Sequence, residues 1–215
     1  QPTALVHQWQ LPDGFDAKVK VMATDDKRVE LEIDEFKTTF TYRFKENRPV
    51  DFGVSLAANV IHSIDGMIVR EMNRRCNYEM YTDLMHWMWK HIDDMNIPVF
   101  VKPDHSRFIS LANIIDYAEE RIEFTDGQLL AMQELIERTF MRSKPFPIVC
   151  IHDAFKCHAN NMNVLRQVYV DIFVDLARSN ILEDLLQQVT GDTDITVTKE
   201  QHVDHLIANA NYALS

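Results

Sequence analysis

His152 and Asp153 are the residues of this sequence best placed to do chemistry: adjacent titratable side chains at the end of the apolar run Ile148-Val149-Cys150-Ile151. A β-branched run of this length after Pro145 and Pro147 predicts a short strand over 147–151, with the pair at the rim of a sheet. A phosphohydrolase-type His-Asp metal site would put the doublet in a helix, with further His and Asp on neighbouring helices. The strand leading into it argues against that. A zinc site from Cys150, His152, Cys157 and His158 would match none of the usual ligand spacings, in which pairs of ligands sit on tight knuckles. A polar turn with no chemistry stays open for a lone pair of this kind.

A fourth arrangement is a β-hairpin with a metal-binding aspartate at its turn, as in a polymerase palm. There a second aspartate comes from an adjacent strand, and two Mg²⁺ ions activate a 3′-hydroxyl and stabilise the leaving pyrophosphate. The run Ile148–Ile151, Asp153 and the return Ala154-Phe155-Lys156 would supply the rigid strand, the carboxylate and the tight return. A second polar group lies upstream. Val54, Ala57, Ala58, Ile61, Ile64 and Ile68 follow helical spacing, so 53 to about 75 reads as one amphipathic helix. Its other face holds Ser55, Asn59, His62, Gly66 and Arg70, with Asp65 and Asn73 beside them. A mid-helix glycine costs about 1 kcal/mol against alanine, so Gly66 points to a close approach there, or to a tolerated glycine on a solvated face.

The elements that would position these groups read as follows. Period-two alternation around Val19, Val21 and Ala23, then Val29, Leu31 and Ile33, then Phe40, Tyr42 and Phe44, predicts an antiparallel meander with a turn at Thr24–Lys27. An earlier strand near Leu5–Trp9 leads into the turn Pro12-Asp13-Gly14. Helices are expected near 79–94, 107–120 and 127–142, the last with the capping-box pair Thr125 and Gln128. A long helix capped by Asn160 or Asn161 follows, with Val164, Val168, Ile172 and Leu176 on its core face. Another spans about 180–189 and stops at Gly191. A final helix opens on a second capping box, Thr198 and Gln201, with Val203, Leu206 and Ile207 on one side.

At 215 residues and 46% hydrophobic, the chain can bury a core as one or two domains. No apolar run approaches the roughly 18–20 residues that span a bilayer. Three cysteines, few and odd in number, suit a reducing compartment better than a disulfide framework. The net charge of −11 argues against a basic nucleic-acid footprint, although it does not locate the 22 Lys and Arg. The chain begins at Gln1 rather than Met, as a piece of a longer protein would.

Four stretches, in this order, resemble the phage-type single-subunit DNA-directed RNA polymerases and their mitochondrial relatives. Trp9 with Pro12-Asp13-Gly14-Phe15 is similar to that family's tryptophan and Pro-Asp-Gly-Phe turn. Ala58-Asn59-Val60-Ile61-His62-Ser63-Ile64-Asp65-Gly66 is similar to its Asn-x-x-His-Ser-x-Asp-(Gly/Ala) helix. Ile151-His152-Asp153-Ala154-Phe155 resembles its third palm motif, usually His-Asp-Ser-Phe. Asn211-Tyr212-Ala213-Leu214-Ser215 resembles its short aromatic C-terminal tail.

The resemblance implies an α+β fold: a palm-type antiparallel sheet and hairpin packed with many helices, within a right-hand polymerase. Antiparallel strands would occupy 1–52, the helix lining the active site 53–77, a helical insertion 78–144, and the palm hairpin with C-terminal helices and foot 145–215. Asp153 would be one of two catalytic, metal-binding aspartates, sharing two Mg²⁺ with an aspartate outside this chain, and His152 its neighbour at the primer end. His62, with Ser63, Asp65, Asn59 and Arg70, would contact the RNA–DNA hybrid or the incoming nucleotide. Tyr212, Leu214 and Ser215 would form the foot near the active site. The implied partners are a DNA template, the RNA product, NTPs and the remainder of the polymerase, with no membrane, in the cytoplasm of the host cell.

Three departures bear on this. Lys156 stands where a small residue is usual, and the interval between His62 and His152 is unusually long, which makes 78–142 an insertion. The first palm aspartate and the fingers helix have no counterpart, so the chain alone would be inactive. A family-A DNA polymerase fragment is the alternative enzyme, although there the His-Asp pair is normally followed by Glu. A non-catalytic interaction subunit, binding through the acidic helical block, is the alternative of another class.

Overall fold

The computed structural model of the protein describes residues 5–33, 36–48, 54–152 and 154–210. Strands β1 (Val6–Gln10) and β2 (Asp16–Lys20) form an antiparallel hairpin with Trp9 opposite Ala17. Its connection turns at Gly14, whose φ of +79° a side chain would disfavour. Two backbone bonds close it, Gly14 N–H to the Leu11 carbonyl and Leu11 N–H to the Phe15 carbonyl, both 2.9 Å.

Strands β3 (Ala23–Ile33) and β4 (Phe36–Glu46) form a second, separate hairpin rather than continuing a meander. Thr24–Lys27, expected as a turn, lies inside β3. Its acids are strand residues held by arginines, Asp26 by Arg43 directly across the ladder at 2.8 Å and Asp25 by Arg48 just past the end of β4. All of β4 is exposed, and Phe40, Tyr42 and Phe44 form a row of rings with centroids 6.3 and 5.8 Å apart along one face.

Helix α1 spans Val54–Cys76. Its buried stripe is Val60, Met67, Ile68, Met72 and Cys76, with Leu56 and Ile64 half-buried. Ala57, Ala58 and Ile61, placed on the core face from spacing, are exposed instead. The displacement follows from what docks on the helix. Trp9, only 2% exposed, donates its indole N–H to Ser63 Oγ at 2.9 Å. The Asp13 carboxylate, inaccessible to solvent, accepts from Arg70 at 2.6 and 3.0 Å and from Arg74 at 2.9 Å. The Arg70 guanidinium also lies 4.3 Å over the Phe15 ring. The first hairpin is thereby fixed along one side of α1.

Residues beyond α1 build a second hydrophobic cluster. A 3₁₀ turn (Tyr78–Tyr81) leads into α2 (Thr82–Asp94), then α3 (Asn113–Ala118) and α4 (Asp126–Arg142). Met85, Met88, Ile92, Ile114, Met132 and Ile136 pack together there. The Thr125–Gln128 capping box opens α4 as expected. The helix expected over 107–120 shrinks to α3 because local side chains claim the backbone before it. Asn113 Oδ1 takes the Ser110 N–H, Ser110 Oγ takes the Ala112 N–H, and the buried Glu71 takes the Leu111 N–H and the Ser110 hydroxyl. The chain then returns to its point of departure: Phe146 N–H donates to the Cys76 carbonyl at 2.9 Å.

Strands β5 (Val149–Ile151) and β6 (Ala154–Lys156) form a third hairpin, followed by α5 (Met162–Arg178), α6 (Ile181–Thr190) and α7 (Val203–Asn209). Gly191, at φ +73°, ends α6. No capping box opens α7. Lys199 instead donates to the carbonyls of Arg178 and Ser179 at the end of α5, which holds 198–201 as a loop. Leu165, Val168, Ile172, Ile181 and Leu185 join Trp9 and the α1 stripe in the first cluster.

Between the two clusters lies an ion network. Arg75 of α1 and Arg138 of α4 both donate to Asp175 of α5, at 2.6 and 2.8 Å, and Arg142 binds Asp171 one turn away. Burial alone would raise the Asp175 carboxyl, but the two guanidiniums outweigh it and hold it below the usual range.

Asp13 is likewise held down: burial opposes ionisation, and Arg70 and Arg74 more than offset it. A depressed folded-state value means stability that is present above about pH 4 and lost as pH falls through the folded-state value. Asp13→Asn should destabilise by about 2 kcal/mol at neutral pH, because both cations lose their anion. Chemical denaturation at pH 7 and again in acid checks this, and the gap between wild type and variant should close as the pH falls.

Candidate nucleotidyl-transfer site

The β5–β6 hairpin pairs Ile151 directly with Ala154, so two residues, His152 and Asp153, connect the strands. His152 has φ +55°, the left-handed conformation required of the first central residue in a type I′ hairpin turn, and its side chain is exposed. Asp153 itself lies outside the described residues, as do Tyr212, Leu214 and Ser215 of the tail. One face of the hairpin is anchored, with Ile148, Phe155 and Cys157 packing on the first cluster. The Phe155 ring meets Tyr169 of α5 at a tilt, centroids 5.6 Å apart, and Tyr169 meets Phe173 edge to face at 5.0 Å. The sequence reading missed this ring cluster, whose one signal was the i, i+4 spacing of Tyr169 and Phe173. The opposite face is open, with Val149 59% and Ile151 49% exposed.

On α1 the predicted site residues divide. His62 and Asp65 project into solvent as a pair, with Nδ1 3.7 Å from the carboxylate, and Asn59 is half-buried beside them. Ser63 and Arg70 turn the other way and bind the first hairpin through Trp9 and Asp13. A methyl group at Gly66 would meet Arg70 Nη1 at 3.5 Å, an ordinary contact, so nothing within the chain demands that glycine.

The helix and the hairpin share a root at the Cys76–Phe146 hydrogen bond. From there α1 runs roughly 21 Å back to His62 at 1.5 Å per residue, and an extended chain covers about 20 Å out to His152. The two exposed groups therefore stand at similar reach from one packed base.

Among the described residues, no group of three or more His, Cys, Asp and Glu could hold a metal ion. Cys150, His152, Cys157 and His158 thus form no zinc site. Burial raises the Cys150 and Cys157 thiols, and burial, with the other two thiols nearby, pushes Cys76 up to about 12. Such thiols stay protonated, which does not favour thiolate ligation. A cleft of about 580 Å³ opens away from these groups, between the first hairpin, α3 and α6, lined by Pro12, Gly14, Arg107, Asp116 and Asp184 among others. Among the described residues, no helix is long and apolar enough to cross a membrane.

No curated protein matches the chain. Residues 132–213, from within α4 through the third hairpin to the tail, match the family model described as DNA-dependent RNA polymerase. The C-terminal part of this protein, including the hairpin that carries His152 and Asp153, therefore matches the DNA-dependent RNA polymerases, the family its sequence motifs resemble.

Proposed function

We propose that this chain supplies the C-terminal part of a DNA-dependent RNA polymerase active site and adds NTPs to an RNA 3′ end on a DNA template. The observation that carries this is the β5–β6 hairpin: a rooted pair of strands joined by His152 and Asp153, inside the stretch that matches the family. Ala154 rather than Glu after Asp153 favours it over a family-A DNA polymerase.

Asp153 would hold Mg²⁺ together with a carboxylate from outside this chain. A lone carboxylate suits that ion, which binds through one or two carboxylates and substrate phosphates and keeps the rest of its shell as water. When bound, the ions would supply activation of the 3′-hydroxyl and neutralisation of the leaving pyrophosphate. The chain's own residues orient and contact. His152 borders the primer end, and His62 and Asp65, with Asn59, face the hybrid or the incoming nucleotide. Ser63 and Arg70 act at one remove by locking α1 to the first hairpin. The foot, Tyr212, Leu214 and Ser215, would act near the same site. The open apolar face of the third hairpin fits a partner in the rest of the enzyme, since a two-stranded sheet is marginal alone. Such an enzyme would work in the cytoplasm of a host cell.

In the assembled polymerase, Asp153→Asn should lower nucleotide addition by about 10³-fold or more while template binding persists. Normal transcription by that variant would remove the assignment. His62→Ala should cut incorporation by roughly 10–100-fold, the loss of a hydrogen bond to a charged group. Because His62 is exposed, its unfolding free energy should move by no more than about 0.5 kcal/mol. Stability loss without a rate defect would make His62 a structural residue. Removing Leu214 and Ser215 should slow nucleotide addition without altering the melting temperature, and an unchanged rate would count against the foot.

A further inference from the structure

Helix α2 has an outer face that takes little part in the fold, apart from His91, whose Nε2 lies 3.3 Å from the Tyr117 hydroxyl of α3. By helical spacing, Met80, Asp83, Trp87, His91 and Asp94 lie along one side. Met80 is 84% exposed and Trp87 44%, the latter stacked flat on His91 at 5.3 Å. Just past the helix, Val101 N–H donates to the Pro98 carbonyl at 2.9 Å, which closes a turn with Val99 and Phe100 at its centre. Gly, Asn, Asp, Ser or Pro are the residues that stabilise such positions. Here a valine 96% exposed and a phenylalanine 83% exposed occupy them, with Met95 alongside at 42%. Folding gains nothing from two large apolar side chains at a turn tip. Burial against something outside the chain would.

Charge identifies the occupant. Glu79, Asp83 and Asp94 are exposed along this face and Asp93 on its flank, and Lys90 is the cation among them. None of the four carboxylates has an ion-pair partner among the described residues, whereas Asp25 and Asp26 of the β3–β4 hairpin and Asp171 and Asp175 of the α4–α5 network do. Unpaired carboxylates around apolar anchors repel nucleic acid and anionic lipid, and the chain's net charge of −11 opposes a second copy of itself. We propose that the outer face of α2 and the Val99–Phe100 turn bind a basic protein segment, with apolar side chains seating on Met80, Trp87, Val99 and Phe100 and Lys or Arg meeting the four carboxylates. This surface is distinct from the nucleotidyl-transfer groups and does not depend on them.

The test uses the full chain and a fluorescein-labelled amphipathic peptide of leucine and lysine, read by anisotropy. Three variants are compared with wild type: Val99→Ser with Phe100→Ser; Glu79→Gln with Asp83→Asn, Asp93→Asn and Asp94→Asn; and a charge-matched control, Glu120→Gln with Glu123→Gln, Asp194→Asn and Glu200→Gln. The first two should each weaken binding about tenfold or more, and the control should bind as wild type. All the substituted side chains are exposed, and circular dichroism verifies that each variant folds. Equal weakening in the control would reduce the effect to general electrostatics and overturn the proposal, as would unchanged binding in either of the first two variants. Concentration-dependent dimerisation abolished by the Val99→Ser, Phe100→Ser variant would make a second copy the occupant and also overturn it. So would a single-stranded oligonucleotide that competes the peptide off.

Discussion

The Arg75–Asp175 ion pair joins the interior of this protein, because it sits where two hydrophobic clusters with no described residue in common must be held in one orientation. Arg75 comes from the helix that presents His62, Asp175 from the helix that packs behind the third hairpin, and Arg138, on the same carboxylate, from the helical block. A buried charge without its counter-ion is costly, whereas alternative hydrophobic packings can be nearly equal in energy. Apolar contact alone would let α1, α4 and α5 slide. A shared carboxylate accepts one arrangement.

The same logic repeats along α1. Arg70 and Arg74 converge on Asp13, Glu71 holds the backbone at Leu111, and Ser63 takes the Trp9 indole. With so many polar side chains of the helix turned toward other elements, the His62–Asp65 pair is left facing solvent on a rigid support. Precision at a site comes from supporting residues of this kind as much as from the groups that touch substrate.

Which parts were legible in the sequence follows from the range of the forces involved. The third hairpin could be read because its signal is local: a β-branched run, two connecting residues and a return. Helix α1 could be read for its length but only in part for its faces. Spacing placed Ile64 and Ile68 correctly but put Ala57, Ala58 and Ile61 inside, and it left out Arg75 and Glu71, which are buried against Asp175 and Ser110 far along the chain. Thr24–Lys27 misled in the opposite sense: its acids resemble a turn until Arg43 and Arg48, from the far end of β4 and just beyond it, bind them. Lys199, which ends α5 from twenty residues away, left no local trace. Hydrophobic period is visible in one dimension, while a buried ion pair becomes visible only when both partners are known.

The hydrogen bond between Phe146 and Cys76 has a consequence for how such a protein can vary. The chain enters and leaves the α2–α4 block at one point, so parts of the block away from the Glu71–Leu111 and Arg138–Asp175 contacts can change length without moving the ends of α1 and the third hairpin. Closing a longer excursion costs only a logarithmic entropy increment. The outer parts of such a block can be enlarged, shortened or refitted to a new binding partner over evolutionary time while the supports of His62 and His152 stay as they are.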